Sequence, residues 1–443
     1  MSVGESRRNG FGRRALLARV ARIAAVAAVA LPMSAGALLG STAAQEGEAL
    51  RIGTLFPFTG DLSDFGPNFW NAAELAVNQI NEAGGVNGAP VELIRGDTAT
   101  SPQQAVEEAR RLIDIEGVDA MVGPAGSGEA LPVVESVAGP DGVVVISPSA
   151  TSPALTVAND NDFFFRTTIS DAAQGVVMAD VAREQGYESA CVLYVNNAYG
   201  QGLSEAFAER FTAEGGTITA QVPHEQEQAS YASEVAACVE GEPDVLIGAS
   251  YPESGGVYLR ELVESGATPA LILSDGLRSA QMFQELGSDV FQGVRGTSAG
   301  SAESDAGNAF VAAYEEAYGD VPSVPYLREV YDAVYVIALA AQAAGSNDSA
   351  AIRDALRDVS TGGDAVMPGV EGFAGAIEAL GSGGDINYEG ASGLVDFDEA
   401  GDVTKGSIVV WQVTGDDIED IETRAIDLEG GAGEASPEAT PAS

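Results

Sequence analysis

The stretch Val118 to Thr156, VDAMVGPAGSGEALPVVESVAGPDGVVVISPSATSPALT, constrains the chain more than any other. It holds two short apolar runs, Asp119 to Val122 and Val143 to Ile146, each bounded by Gly or Pro and separated by one helix length, which is the pattern of buried parallel strands. Each run empties into a turn of small residues. Gly123 to Ser127 leads into a helix over Glu129 to Val137; Ser147 to Ser152 ends at Pro153, a favourable first helical position. Both turns belong at the carboxyl edge of a sheet, where open α/β sheets bind ligands and helix N-termini favour an anion such as a carboxylate. Ser127, Ser149 and Thr151 are therefore expected to form half of a small-molecule site.

The remaining chain repeats this logic. Leu50 to Phe56 and Val91 to Arg95 read as strands, with helices over Asn68 to Ala83 and Pro102 to Ile115. From Asp171 the same order returns, with strands at Ala190 to Val195, Thr217 to Val222, Asp244 to Gly248 and Leu271 to Leu273. The form of residues 118–139 is echoed by PDVLIGASYPESGGVYLRELVESG at 243–266, which predicts a duplicated lobe. The expected fold is α/β, with two similar doubly wound parallel-sheet lobes joined by hinge crossovers. Lobe 1 takes residues 45–168 and 300–380, and lobe 2 takes 169–299 and 381–428. Helices are expected over Ala306 to Tyr318, Tyr326 to Ala344 and Ser349 to Val359, and a hairpin over Gly393 to Phe397 and Ser407 to Val413. Residues 429–443, rich in Gly, Ala, Pro, Ser and Glu, are expected to be disordered.

Residues 1–44 read as an export signal, since six Arg precede an apolar run over Ile23 to Leu39 and a small-residue cleavage site at Thr42-Ala43-Ala44. Sec and twin-arginine export both remain open, as does anchoring by an uncleaved signal. Without this segment 15 basic residues face 65 acidic ones. A surface so acidic excludes nucleic acid as a partner. Cys191 and Cys238 are the only cysteines, and an exported chain permits either a disulfide or two buried thiols.

Nothing in the sequence points to catalysis, a metal or a cofactor. His224 is the only histidine and falls in a polar loop, with no nucleophile elbow to serve. No His or Cys cluster has metal-ligand spacing, and Asp396 and Asp398 lack the full set of a calcium loop. Gly123 to Gly126 lacks the lysine of a phosphate loop.

Several motifs together resemble the leucine/isoleucine/valine-binding proteins of ABC transporters, which have the type I periplasmic binding, or Venus-flytrap, fold. They are VGPAGSG, ISPSATSPALT, INEAGGVNGAPVELIRGDT (80–98), YVNNAYGQG (194–202) and SYPESGGVYLREL (250–262). The resemblance implies an exported, monomeric receptor that closes on an amino acid, branched-chain or otherwise aliphatic, and presents it to a membrane permease. It assigns the ligand carboxylate to Ser127, Ser149, Ala150 and Thr151, and the ammonium to Asp275, where leucine-type binders usually carry Glu. Tyr199 and Tyr251 match aromatics that close over the ligand, and Phe65 matches one that borders its side chain. Asn71 stands where a Gly is common. Binders of urea, short amides and organic acids share the fold, as do sensory modules for signalling partners, and these remain the alternatives.

Overall fold

The computed structural model describes residues 47–428, apart from Thr268 and Ala302. The export segment and the tail lie outside the described residues.

The first sheet is fully parallel. It contains β1 (Leu50–Phe56), β2 (Val91–Asp97), β3 (Ala120–Val122), β4 (Val144–Ser147) and β5 (Phe164–Arg166), in the order β2-β1-β3-β4-β5. The chain reverses its direction of winding between β1 and β3, so the loops after these strands open a crevice at the carboxyl edge. β3 and β4 are buried along their whole length, as expected of strands covered by helices on both faces.

The second sheet repeats the first. Its strands β6 (Ser189–Val195), β7 (Thr217–His224), β8 (Val245–Ala249), β9 (Ala270–Leu273) and β10 (Arg295–Gly300) are parallel in the order β7-β6-β8-β9-β10, the same winding as in the first lobe. Its far edge departs from the parallel plan. There β13 (Lys405–Thr414) runs antiparallel to β10, and β14 (Asp417–Asp427) antiparallel to β13. The hairpin of this region is thus β13–β14, turning at Gly415 and Asp416, and not the expected pairing of residues 393–397 with 407–413. Around Phe397 only a single bridge to Val403 forms. The apolar run Ile408 to Trp411 is buried because its strand lies between β10 on one side and β14 on the other.

The chain crosses between the lobes three times: after β5, after β10 and before β13. The helices Asp305–Tyr318 and Leu327–Ala344 return to cover the first lobe. The second of these packs on the helix Gly66–Glu82 and is buried around its circumference, including Tyr331 and Tyr335. Residues after 381 do not pass directly to the second lobe. Ile386–Tyr388 (β12) first pairs in parallel with Asp364–Val366 (β11) beside the helix Ser349–Ser360. Asp332 in the helix Leu327–Ala344 anchors this excursion through the backbone of Ala391 (2.9 Å) and Ser392 (2.7 Å).

Cys191 on β6 and Cys238 on the helix Ala232–Val239 are joined by a disulfide with a Cα–Cα separation of 5.6 Å. His224 differs from expectation. β7 continues two residues beyond Val222, pairing His224 with Val195, so the ring is buried. Its Nε2 lies 2.8 Å from Ser250 Oγ, with Tyr231 and Tyr258 against the ring. Burial lowers its pKa, which keeps the imidazole neutral.

Candidate functional site

The turns after β3 and β4 are sewn together by hydroxyl groups. Ser149 Oγ donates to the carbonyl of Ala125 at 2.9 Å, and the backbone N–H of Ser152 donates to Ser127 Oγ at 3.1 Å. Ala150 is fully buried and gives its N–H to Ser147 Oγ at 2.9 Å. Thr151 Oγ1 donates at 2.8 Å to Asp171, the first residue of the helix Asp171–Glu184 in the second lobe. Arg166 fixes this arrangement from behind. Its guanidinium is buried, is bound to the Asp402 carboxylate through Nε and Nη2 (both 2.6 Å), and reaches the carbonyls of Ala150 (3.3 Å) and Ser152 (3.0 Å).

The facing wall comes from the second lobe. Asp275 follows β9 and is buried; its carboxylate accepts from Tyr199 Oη (2.7 Å), Gln174 Nε2 (2.8 Å) and Tyr326 Oη (2.7 Å). Tyr199 stacks on Tyr251, with ring centroids 5.5 Å apart and planes 10° from parallel. Tyr251 also accepts from Asn197 Nδ2 at 3.0 Å. The walls meet closely. A Cβ at Gly126 would stand 3.4 Å from the Tyr251 hydroxyl, and one at Gly128 would stand 3.0 Å from Asn197, whose side chain would have to give way. Ser152 Oγ crosses to the carbonyl of Ala198 at 2.7 Å. A cavity of about 250 Å³ remains beside this seam, lined by Thr100, Glu129, Asn197, Glu225 and Tyr251 among others.

Seven of the eight predicted residues thus converge. Ser127, Ser149, Ala150 and Thr151 stand on one wall; Tyr199, Tyr251 and Asp275 stand on the other. Phe65 sits at the head of the helix Gly66–Glu82, buried against Phe69 with centroids 5.9 Å apart, and is set apart from these polar contacts. Asn71, the departure noted in the sequence, hydrogen-bonds Tyr314 and so serves the packing of two helices.

Sequence reasoning missed Asp171, Gln174 and Tyr326. Asp171 is completely buried, and its Oδ1 has no hydrogen-bond partner; neither does Thr297 Oγ1. Burial raises the pKa of Asp171 well above the carboxylate range, and the neighbouring charge of Asp275 raises it further. Asp275 is raised by burial against the lowering effect of its three side-chain donors. Two carboxylates in one buried place cannot both hold charge unless a cation joins them. Arg166, which faces Asp171, is already paired with Asp402. Tyr326 gave only a weak signal, an aromatic near a helix start. Its backbone has φ 72°, a left-handed conformation costly for a residue with a Cβ, held here while its hydroxyl reaches Asp275.

Comparison with known proteins gives a consistent picture. A family model described as periplasmic binding protein matches residues 49–382. The chemotactic signal transduction system substrate-binding protein BasB of Halobacterium salinarum is 30% identical over 372 residues, covering 82% of this chain and 87% of that protein. The crystal structure of a leucine binding protein, LivK, from Thermotoga maritima superposes with a TM-score of 0.72 at 25% identity, over 85% of this chain and 98% of that one. The fold is also that of a solute binding protein from Rhodopseudomonas palustris solved with benzoate, with a TM-score of 0.69 at 19% identity, covering 88% and 98% of the two chains.

Proposed function

Because the chain belongs to the periplasmic binding protein family, a family of solute-binding components of ABC transporters, we propose that it captures an aliphatic amino acid between its lobes and delivers it to a membrane permease. The observation that carries this reading is the pair Asp171 and Asp275, buried together with an unpartnered carboxylate oxygen. An α-ammonium group placed between them supplies the missing positive charge and donors. The same ligand carries its carboxylate a few ångströms away, toward Ser127, Ser149, Ala150 and Thr151, where backbone N–H groups at a helix start favour negative charge. Tyr199 and Tyr251 form the aromatic wall. Closure removes this ion pair from water and strengthens both ends. It also makes the closed form depend on the ligand, which bridges the lobes.

The likeness to the Thermotoga leucine binding protein supports an aliphatic side chain, whereas the benzoate-bound neighbour shows that the fold alone does not fix the ligand. The relative named for chemotactic signalling favours a second reading of the output: the same closed cleft read by a signalling partner. Melting of the protein against amino acids, short amides, urea and organic acids tests the ligand class. A ligand at about 100 times its Kd adds about 2.7 kcal/mol, visible as a rise in Tm. The expected result is a shift with aliphatic amino acids; a shift confined to acids or amides without an amine overturns the assignment.

A further inference from the structure

Away from the ligand turns, the lobes are joined by a second set of contacts at the lip of the cleft. The loop after β1 carries Asp61 and Asp64. Asp61 is buried, and its carboxylate accepts from Ser254 Oγ and from the backbone N–H of Glu227, both in the second lobe. The Asp61 carbonyl accepts from the N–H of Glu253 at 3.4 Å. Ser254 in turn receives the phenol proton of Tyr231 at 2.8 Å. Asp64 accepts from Ser279 Oγ at 2.7 Å, and Ser63 hydrogen-bonds Glu253. All but the Tyr231–Ser254 link run between lobes, so they form on closing and are lost on opening.

The charges at this strip oppose its hydrogen bonds. Asp61 faces Glu227 and Glu253, and Asp64 faces Glu253 and Glu285. Tyr231 and Tyr251 also lie within reach of the Asp61 charge. From β2, Asp97 holds the Thr59 hydroxyl, and Arg95 lies 3.4 Å over the Phe58 ring. Arg278, next to Ser279, is turned toward Ser298 and Asp420. Among the described residues no Lys or Arg pairs with Asp61, Asp64 or Glu253. Burial first, and these like charges second, raise all three carboxyls above their ordinary range.

We propose that this strip is a proton-operated latch: protonating Asp61 and Asp64 removes the repulsion between the lips while their hydroxyl partners stay in place, so acidification closes the receptor even without ligand. The sign follows from linkage. In the open form the two carboxyls face water and take protons only in the ordinary carboxylate range; in the closed form they take them at higher pH. Closing therefore consumes protons and is favoured as pH falls toward that range. The proposal rests on the clamshell reading but not on the identity of the ligand.

Small-angle scattering of the ligand-free full chain at constant ionic strength tests it, with melting curves confirming that each variant folds. In the wild type the closed-to-open ratio should rise at least about threefold between about pH 8 and about pH 5. Asp171 and Asp275 also take protons on closing, so the wild type alone does not decide. Asp61→Asn/Asp64→Asn, which imitates the protonated strip, should be more compact than the wild type at about pH 8 and should gain less on acidification. Asp275→Asn should keep the lip response. Ser254→Ala/Ser279→Ala, which removes the donors, should be more open at both pH values. A double Asn variant that still follows the wild-type pH response, or that opens at both pH values, overturns the latch, as does a Ser-to-Ala pair that closes as fully as the wild type. Ligand-free closure that depends on the strip, together with melting shifts only from ligands without an amine, would keep the latch and remove the ligand class.

Discussion

At the scale of single residues, the site is defined by what lacks a partner. Asp171 Oδ1 is buried without a donor, although its second oxygen is bonded to Thr151. A buried acceptor without a partner costs about 1–3 kcal/mol, and more when charged, so it marks a place completed by something else. Replacing Asp275 with Asn preserves its shape but removes its charge and one of its two acceptor oxygens, so Tyr199 and Tyr326, which donate to different oxygens, cannot both keep their bond. The expected loss in affinity for an amine-bearing ligand is about 100-fold, or about 2.7 kcal/mol, by titration calorimetry, with Asp171→Asn losing affinity in the same direction. Unchanged affinity in both variants would remove the ammonium role.

At the scale of the element, the turn from β3 into the helix Ser127–Val133 carries its own electrostatic device. Glu129 is the third residue of the helix, in its first turn, and is buried; it accepts from the N–H of Gly126 at 3.2 Å and from Thr98 Oγ1 at 3.3 Å. Burial raises its pKa to about 8, against the lowering effect of these two bonds. A folded-state pKa above the unfolded value means that stability is fully present below the ordinary glutamate range and is lost as pH rises through about 8. Glu129→Gln keeps the neutral form at every pH. Relative to the wild type it should gain on the order of a few kcal/mol between about pH 5 and about pH 9 in urea unfolding. Parallel pH profiles of the two proteins would show that Glu129 is already ionised in the folded chain. The turn itself was legible in the sequence, because strand, small-residue turn and helix follow one another within ten residues. The fate of His224 was not, because two further residues of β7 are fixed by pairing with β6 and not by their own composition.

At the scale of the whole molecule, Arg166 ties the first lobe to the last of the three crossovers. This side chain ties the turn after β4 to Asp402, 236 residues later, at the last crossover. Removing one member of a buried ion pair strands the other, at a cost of about 3–5 kcal/mol, whereas replacing both by apolar groups is far milder. Arg166→Met should therefore lower stability by about that amount in urea unfolding, and Arg166→Met/Asp402→Leu should recover most of it. A double variant as unstable as the single one would show that the pair does not act as a unit.

The sequence by itself determined whatever is written in short-range order: the period of the strands, the duplication of the lobes, the small-residue turns at their carboxyl edges, and through these Ser127, Ser149 and Thr151, while the family resemblance pointed to Tyr199, Tyr251 and Asp275. Tertiary structure decided the contacts that join distant segments. Thr151 meets Asp171 across 20 residues, Tyr326 meets Asp275 across 51, and Asp61 meets Ser254 across 193. None of these partners leaves a local pattern, since an Asp at a helix start reads as a cap and an Asp in a loop reads as a solvated charge. Only closing one lobe on the other takes their charges out of water. Desolvation turns an ordinary carboxylate into a group that requires a cation, a proton or a hydroxyl partner, and that requirement is set by the surroundings and not by the residue.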